Sequence, residues 1–118
     1  MNVAWVFIGG GLGAACRWWI SSSASSTGLP YGTLSVNLLG CFLIGMLSVY
    51  LLHQPKLSLL LITGFLGGFT TFSTFGLDSV RMLHNADYKS FSSYVLLSNV
   101  LGILLVMLGH KLSATFFN

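Results

Sequence analysis

The chain has 118 residues, of which 54% are hydrophobic and 6% charged, with a formal net charge of +3. An average soluble domain carries about 25% charged residues, so this composition excludes a water-facing surface and points to one domain immersed in lipid. The five bases, Arg17, Lys56, Arg81, Lys89 and Lys111, stand singly, without the basic runs or aromatic interleaving of a nucleic-acid binder.

A helix needs about 20 residues to cross the hydrocarbon core. The first apolar segment runs from about Val3 to Ile20. The stretch before it lacks a basic n-region and Gly9 to Gly13 interrupts it, so it is expected to be retained as a helix and not cleaved as a signal. Gly9 with Gly13, and Gly10 with Ala14, show the small-xxx-small spacing that lets membrane helices approach closely. The same run, Gly9-Gly10-Gly11-Leu12-Gly13-Ala14, imitates a dinucleotide fingerprint. That motif needs a parallel sheet and an acid about 20 residues on, and Ser21 to Thr33 contains none. Arg17 sits beside Trp18 and Trp19 near the segment's end. It fits an interfacial anchor with a snorkelling guanidinium, and equally a source of positive potential at an anion vestibule.

A serine-rich, uncharged connection, Ser21 to Pro30, leads to the second segment, about Thr33 to Leu52. Asn37 lies inside it, where an amide without partners costs a few kcal/mol. An interhelical hydrogen bond and a pore-lining donor both satisfy that requirement. Cys16 and Cys41 fall within apolar segments with no histidine close in sequence, and read as buried thiols. The next connection, His53 to Lys56, is short enough to make segments two and three antiparallel neighbours.

Segment three is apolar only from Leu57 to Phe69, too short to span. The run Thr70-Thr71-Phe72-Ser73-Thr74-Phe75 follows, with Asp78 and Arg81 beyond. Gly64, Gly67 and Gly68 weaken helix continuity at the junction. The prediction is a membrane helix broken near its middle, whose freed carbonyls and N–H groups line a cavity or bind an ion. In a continuous helix, Phe72 and Phe75 share a face, as do Phe65, Phe69 and Phe72. Four hydroxyl residues are interleaved with these rings, more than plain packing requires. Aromatic edges carry partial positive charge, and with hydroxyl donors they form a surface for a small, hard anion. Such a surface is favourable enough to enter and weak enough to leave. Asp78 and Arg81, at i and i+3, read as a local ion pair of little energetic weight.

The fourth segment runs from about Tyr94 to Leu112, with Tyr94 and Ser98 on one face and Asn99 one position round. His53, His84 and His110 are dispersed at segment ends, too far apart for a metal site or proton relay. With the N-terminus inside, Lys56 and Lys111 lie near the inner face, and Arg81 and Lys89 near the outer one. The positive-inside rule therefore selects no orientation, so insertion both ways and an antiparallel dimer are possible.

With those residues in view, the chain resembles the CrcB/Fluc family of fluoride channels over essentially its whole length. The resemblance rests on Gly9-Gly10-x-x-Gly13-Ala14 with Arg17-Trp18, on Gly32-Thr33-Leu34-x-Val36-Asn37-x-x-Gly40, and on Tyr94 with Ser98. Its longest motif is Gly64-Phe65-x-Gly67-Gly68-Phe69-Thr70-Thr71-Phe72-Ser73-Thr74-Phe75. The resemblance implies an all-α membrane protein of four transmembrane helices, the third broken, forming an antiparallel dual-topology dimer in a bacterial cell membrane. It implies two fluoride pores lined by both subunits, with Phe72 and Phe75 presenting ring edges. Asn37, Ser73, Thr74, Tyr94 and Ser98 form the polar side of that path, and Arg17 the basic vestibule. It further implies a buried sodium ion held by the backbone carbonyls of Gly67 and Thr70 from both chains. By the same resemblance the second subunit would be a copy of this chain or a paralogue. Two positions depart from the family pattern: Asp78 stands where a glutamate is usual, and Gly102 where some members carry a hydroxyl.

A small dual-topology multidrug transporter has a similar size, but its mechanism needs a carboxylate in the first helix, and segment one has no acid. An accessory subunit without transport has no use for a hydroxyl–phenylalanine ladder at a helix break. An enzyme is not expected, since no acid–base pair, nucleophile–base pair or metal cluster is visible.

Overall fold

The computed structural model describes residues 2–24 and 29–117. Helix α1 (Asn2–Ser23) and helix α2 (Tyr31–Tyr50) are continuous. The third span divides into α3 (residues 55–69) and α4 (Phe72–His84), and the fourth is α5 (residues 88–117). Four stretches are long and apolar enough to cross a membrane: Asn2–Ser23, Tyr31–Tyr50, Pro55–His84 and Tyr88–Phe116. The chain is a multi-pass, all-helical membrane protein.

The spans begin or end a few residues from the hydropathy limits, for local chemical reasons. Helix α1 runs on into the serine-rich connection because Ser22 and Ser23 donate their hydroxyls to the Trp19 carbonyl, at 3.2 and 2.8 Å. Residues 25–28 of that connection lie outside the described residues. Helix α3 opens with Pro55 in its first turn, where a missing N–H costs nothing. Helix α5 starts six residues before Tyr94, since the Asp87 carboxylate accepts from the Ser90 N–H at 3.2 Å and caps it.

Two parts of the helical framework are wound as π-helix, Leu59–Leu66 in α3 and Leu97–Leu101 in α5. Hydrophobic periodicity gives no sign of either. The break itself falls at Thr70 and Thr71, both extended, with φ/ψ of −90/157° and −149/117°. Thr71 then serves as N-cap of α4, its hydroxyl accepting from the Thr74 N–H at 3.1 Å.

The tightest seams join parallel spans two apart in sequence. A Cβ on Gly13 would collide with the Phe65 carbonyl, and one on Gly9 with the Leu60 carbonyl, so α1 and α3 meet backbone to backbone. Gly64 and Gly68 form the other side of that seam, Gly68 abutting the Gly10 carbonyl. Gly45 and Gly109 do the same for α2 and α5, against Val106 and Phe42. Helices α2 and α3 are antiparallel neighbours as expected, with Gly40 against Thr70.

Two apolar clusters flank the break. Val36, Leu66 and Phe69 form one, packed by Cys16, Ile20 and Phe65. Leu34, Met82 and Tyr94 form the other, packed by Phe75 and Phe91. Each half of the third span therefore has its own anchorage on α2, and the two extended threonines bridge between them.

Candidate ion-conduction site

The break exposes backbone groups that a continuous helix would pair internally, and each has an identifiable fate. The Leu66 carbonyl accepts from both the N–H and the hydroxyl of Thr70, at 3.0 and 2.9 Å. The Gly68 carbonyl accepts from Arg17 Nε at 3.0 Å. Asn37 is bonded in both directions to Thr71, its Nδ2 donating to the carbonyl at 3.1 Å and its Oδ1 accepting from the N–H at 2.8 Å. Among the described residues the carbonyls of Gly67, Phe69 and Thr70 accept no hydrogen bond. These three oxygens lie within four consecutive residues and are suited to a hard cation.

Asn37 thus makes the interhelical bond that its depth required, and it also lines a cavity of about 340 Å³. Around that cavity stand Gly67 and Thr70 of the break, Phe72 and Phe75 of α4, Cys41 of α2, and Ser98 and Asn99 of α5. Both π segments reach it, through Ile62 and Leu66 on one side and Ser98 and Asn99 on the other. A π winding re-aims side chains relative to an α-helix and is frequent at functional sites. The Ser98 hydroxyl oxygen is buried and without a hydrogen-bond partner. A buried unsatisfied hydroxyl costs about 1–3 kcal/mol, so a ligand able to accept its proton relieves a real penalty.

The aromatic stripe does not run through as a single helical face. Phe65 and Phe69 stack at 5.7 Å before the break, with Phe69 only 2% exposed. After it, Phe72 and Phe75 meet at 5.5 Å and 43°, and Phe75 meets Tyr94 at 5.0 Å and 43°. The extended threonines rotate the second pair away from the first, so that Phe72 and Phe75 line the cavity and Phe69 packs in the core. Phe72 lines the cavity and is 80% exposed.

Of the remaining candidates, Tyr94 is wholly buried and donates its hydroxyl to Asp78 Oδ2 at 3.2 Å. Asp78 therefore pairs with Tyr94 across two helices, and not with Arg81 one turn away. Ser73 and Thr74 lie on the first turn of α4, each with its hydroxyl 3.2 Å from that of Thr71. Ser73, Thr74 and Tyr94 border the cavity's lining residues without joining them. Arg17 does not snorkel outward; its guanidinium turns in to the break. Sequence reasoning missed Thr71, which is at once the cap of α4 and the partner of Asn37. The S/T-x-x-T spacing of Thr71 and Thr74 before an apolar helix was the only local signal. Cys41, read as a spectator, lines the cavity opposite Gly102, where an added Cβ would lie 3.3 Å from its Sγ.

A family model described as CrcB-like protein, Camphor Resistance (CrcB), matches residues 4–110. The chain belongs to the CrcB-like family. A protein of Hydrogenobaculum sp. (strain Y04AAS1) named Fluoride-specific ion channel FluC is 45% identical over 118 residues, spanning 95% of this chain and 97% of that protein. The protein of the same name from Helicobacter acinonychis (strain Sheeba) is 39% identical over 120 residues, spanning 95% and 94%. That from Phocaeicola vulgatus is 44% identical over 110 residues, spanning 88% and 91%. The matched region of this CrcB-like chain contains the break, the Asn37 clamp and the whole cavity wall.

Proposed function

We propose that the chain is a fluoride-selective channel that lets fluoride leave the cell down its electrochemical gradient. The observation that carries this reading is the cavity at the break. It brings Phe72 and Phe75 together with the Asn37 amide and the unpartnered Ser98 hydroxyl. Ring edges, an amide N–H and a hydroxyl are all donors of partial positive charge, and a small anion meets them without a fixed cation in the wall. A wall of this kind binds weakly at several points, as conduction requires. The relatives named as fluoride-specific channels support the choice of ion. No chemistry of bond making is called for, and the reading is of a channel and not an enzyme. Multidrug exchange lacks its carboxylate, since both acids, Asp78 and Asp87, lie outside α1.

The functional unit is an antiparallel, dual-topology dimer with a pore on each side. In support, Phe72 lines the cavity and yet leaves most of its surface exposed in the single chain. The charges give no orientation preference. Ser73, Thr74 and Tyr94 extend the polar path beyond the cavity, and Arg17, bonded to the Gly68 carbonyl, adds positive potential beside the break. The carbonyls of Gly67 and Thr70, which accept no hydrogen bond among the described residues, would hold a sodium ion at the subunit interface. Its chemistry there would be a fixed positive charge.

Fluoride efflux from liposomes containing this chain alone, read with a fluoride electrode in a chloride background, tests the reading. Rapid voltage-driven release of fluoride without chloride is expected. A folded sample that releases no fluoride, with sodium and any paralogous subunit supplied, overturns it.

A further inference from the structure

We infer that Arg17 is a positioning residue for the carbonyl cluster at the break and weakens the hold of that cluster on a hard monovalent cation. The inference rests on the cation reading above and adds to it what sets the affinity. The Gly13 seam brings α1 against α3 so closely that the Arg17 side chain, one turn on, lies along the end of α3. Its Nε then donates to the Gly68 carbonyl at 3.0 Å. That oxygen lies between the two free ones of Gly67 and Phe69, and the free Thr70 carbonyl is two residues on. One potential cation ligand is thereby occupied and a full positive charge is placed beside the rest.

Among the described residues no carboxylate offsets that charge. Of the two acids, Asp78 accepts from Tyr94 and Asp87 caps α5. The guanidinium and a bound cation would both be stabilised by the carboxyl end of α3, where the helix dipole is negative. They also repel each other at short range in a medium of low dielectric. Two like charges at one helix end compete, and the mobile one loses affinity.

The test is the melting temperature of the purified protein against sodium concentration, at constant ionic strength with N-methyl-D-glucamine as the replacement. A ligand that binds the folded form stabilises it by RT ln(1 + [L]/Kd), so fitting the melting temperature against sodium concentration gives Kd, the half-saturation midpoint of the site. For Arg17→Gln the sodium midpoint is expected to fall by about tenfold, and for Arg17→Lys, which keeps the charge, to stay within about threefold. A merely structural cap would lower the melting temperature at every sodium concentration without moving the midpoint. Should Arg17→Gln not fold, Arg17→His compared at pH 5.5 and 8.5 (about one unit or more either side of the usual imidazole value) serves instead. The tighter midpoint must then appear at the higher pH, relative to the native chain over the same interval. An unchanged or weaker midpoint in the neutral variant overturns the inference and leaves the cation reading standing. A response to sodium absent from both native and neutral chains overturns the two together.

Discussion

The amide of Asn37 and the peptide of Thr71 are bonded to each other in both directions, across 34 residues of sequence and from one helix to a break in another. An asparagine amide can offer a donor to the C=O and an acceptor to the N–H of one residue while staying uncharged. Average interhelical hydrogen bonds in membranes contribute only about 0.6 kcal/mol each. The clamp therefore matters more for where it holds the break than for the stability it adds.

Asn37→Asp keeps an acceptor for the Thr71 N–H and removes the donor to the Thr71 carbonyl. It also places a carboxylate on the cavity wall. Fluoride flux is expected to fall by about tenfold or more through like-charge repulsion. Stability should drop by about 1–3 kcal/mol for the orphaned carbonyl. Liposome flux and thermal unfolding in detergent check the two separately, and flux at the native level would remove Asn37 from the conduction path.

Phe72 and Phe75 meet at 5.5 Å on the cavity wall. Phe72→Ile and Phe75→Ile retain apolar bulk but lose the ring edges. Each is expected to reduce fluoride flux by about tenfold, equivalent to about 1.4 kcal/mol at the barrier. Phe75→Ile should also lower thermal stability, because Phe75 packs on the wholly buried Tyr94. Full flux in both folded variants would leave the ring-edge reading without support.

Glycines that look alike in the sequence differ sharply in their surroundings. A Cβ on Gly13 would strike the Phe65 carbonyl, whereas one on Gly11 would meet nothing within 4 Å. Gly13→Ala is expected to force α1 from α3 and cost about 1–3 kcal/mol or prevent folding. Gly11→Ala should be neutral or stabilising by up to about 1 kcal/mol, through better helix propensity. Melting temperatures of the two variants in detergent decide the matter.

Much of the fold was legible because hydropathy and glycine placement are local signals. Four spans, the shortness of Leu57–Phe69 and the hydroxyl-rich run after it can be read one segment at a time. The break was found for the same reason, since Gly67, Gly68 and the two threonines sit together in sequence. What remained hidden depends on partners far along the chain. The choice of Asn37 between packing and lining could not be made until Thr71 was placed against it. The direction of Arg17 turned on a carbonyl 51 residues away, and Asp78 on Tyr94, 16 residues away. The π windings were invisible because Leu59–Leu66 is apolar almost all round and leaves no phase to read. The aromatic stripe was legible as a composition and misleading as a face, because two extended residues inserted between Phe69 and Phe72 reset its angle.

The glycine seams carry a consequence for biosynthesis. They join the first span to the third and the second to the fourth, so the order of packing is interlaced with the order of translation. When α1 and α2 have left the ribosome, neither has met the helix it fits. Both must wait in the lipid as separately stable helices until α3 and α5 arrive, as two-stage assembly requires. A cut in the short His53–Lys56 connection would sever neither seam. It would yield two pieces, each with helices whose close-fitting partners lie in the other, and the halves should reassemble in one membrane where neither holds its shape alone.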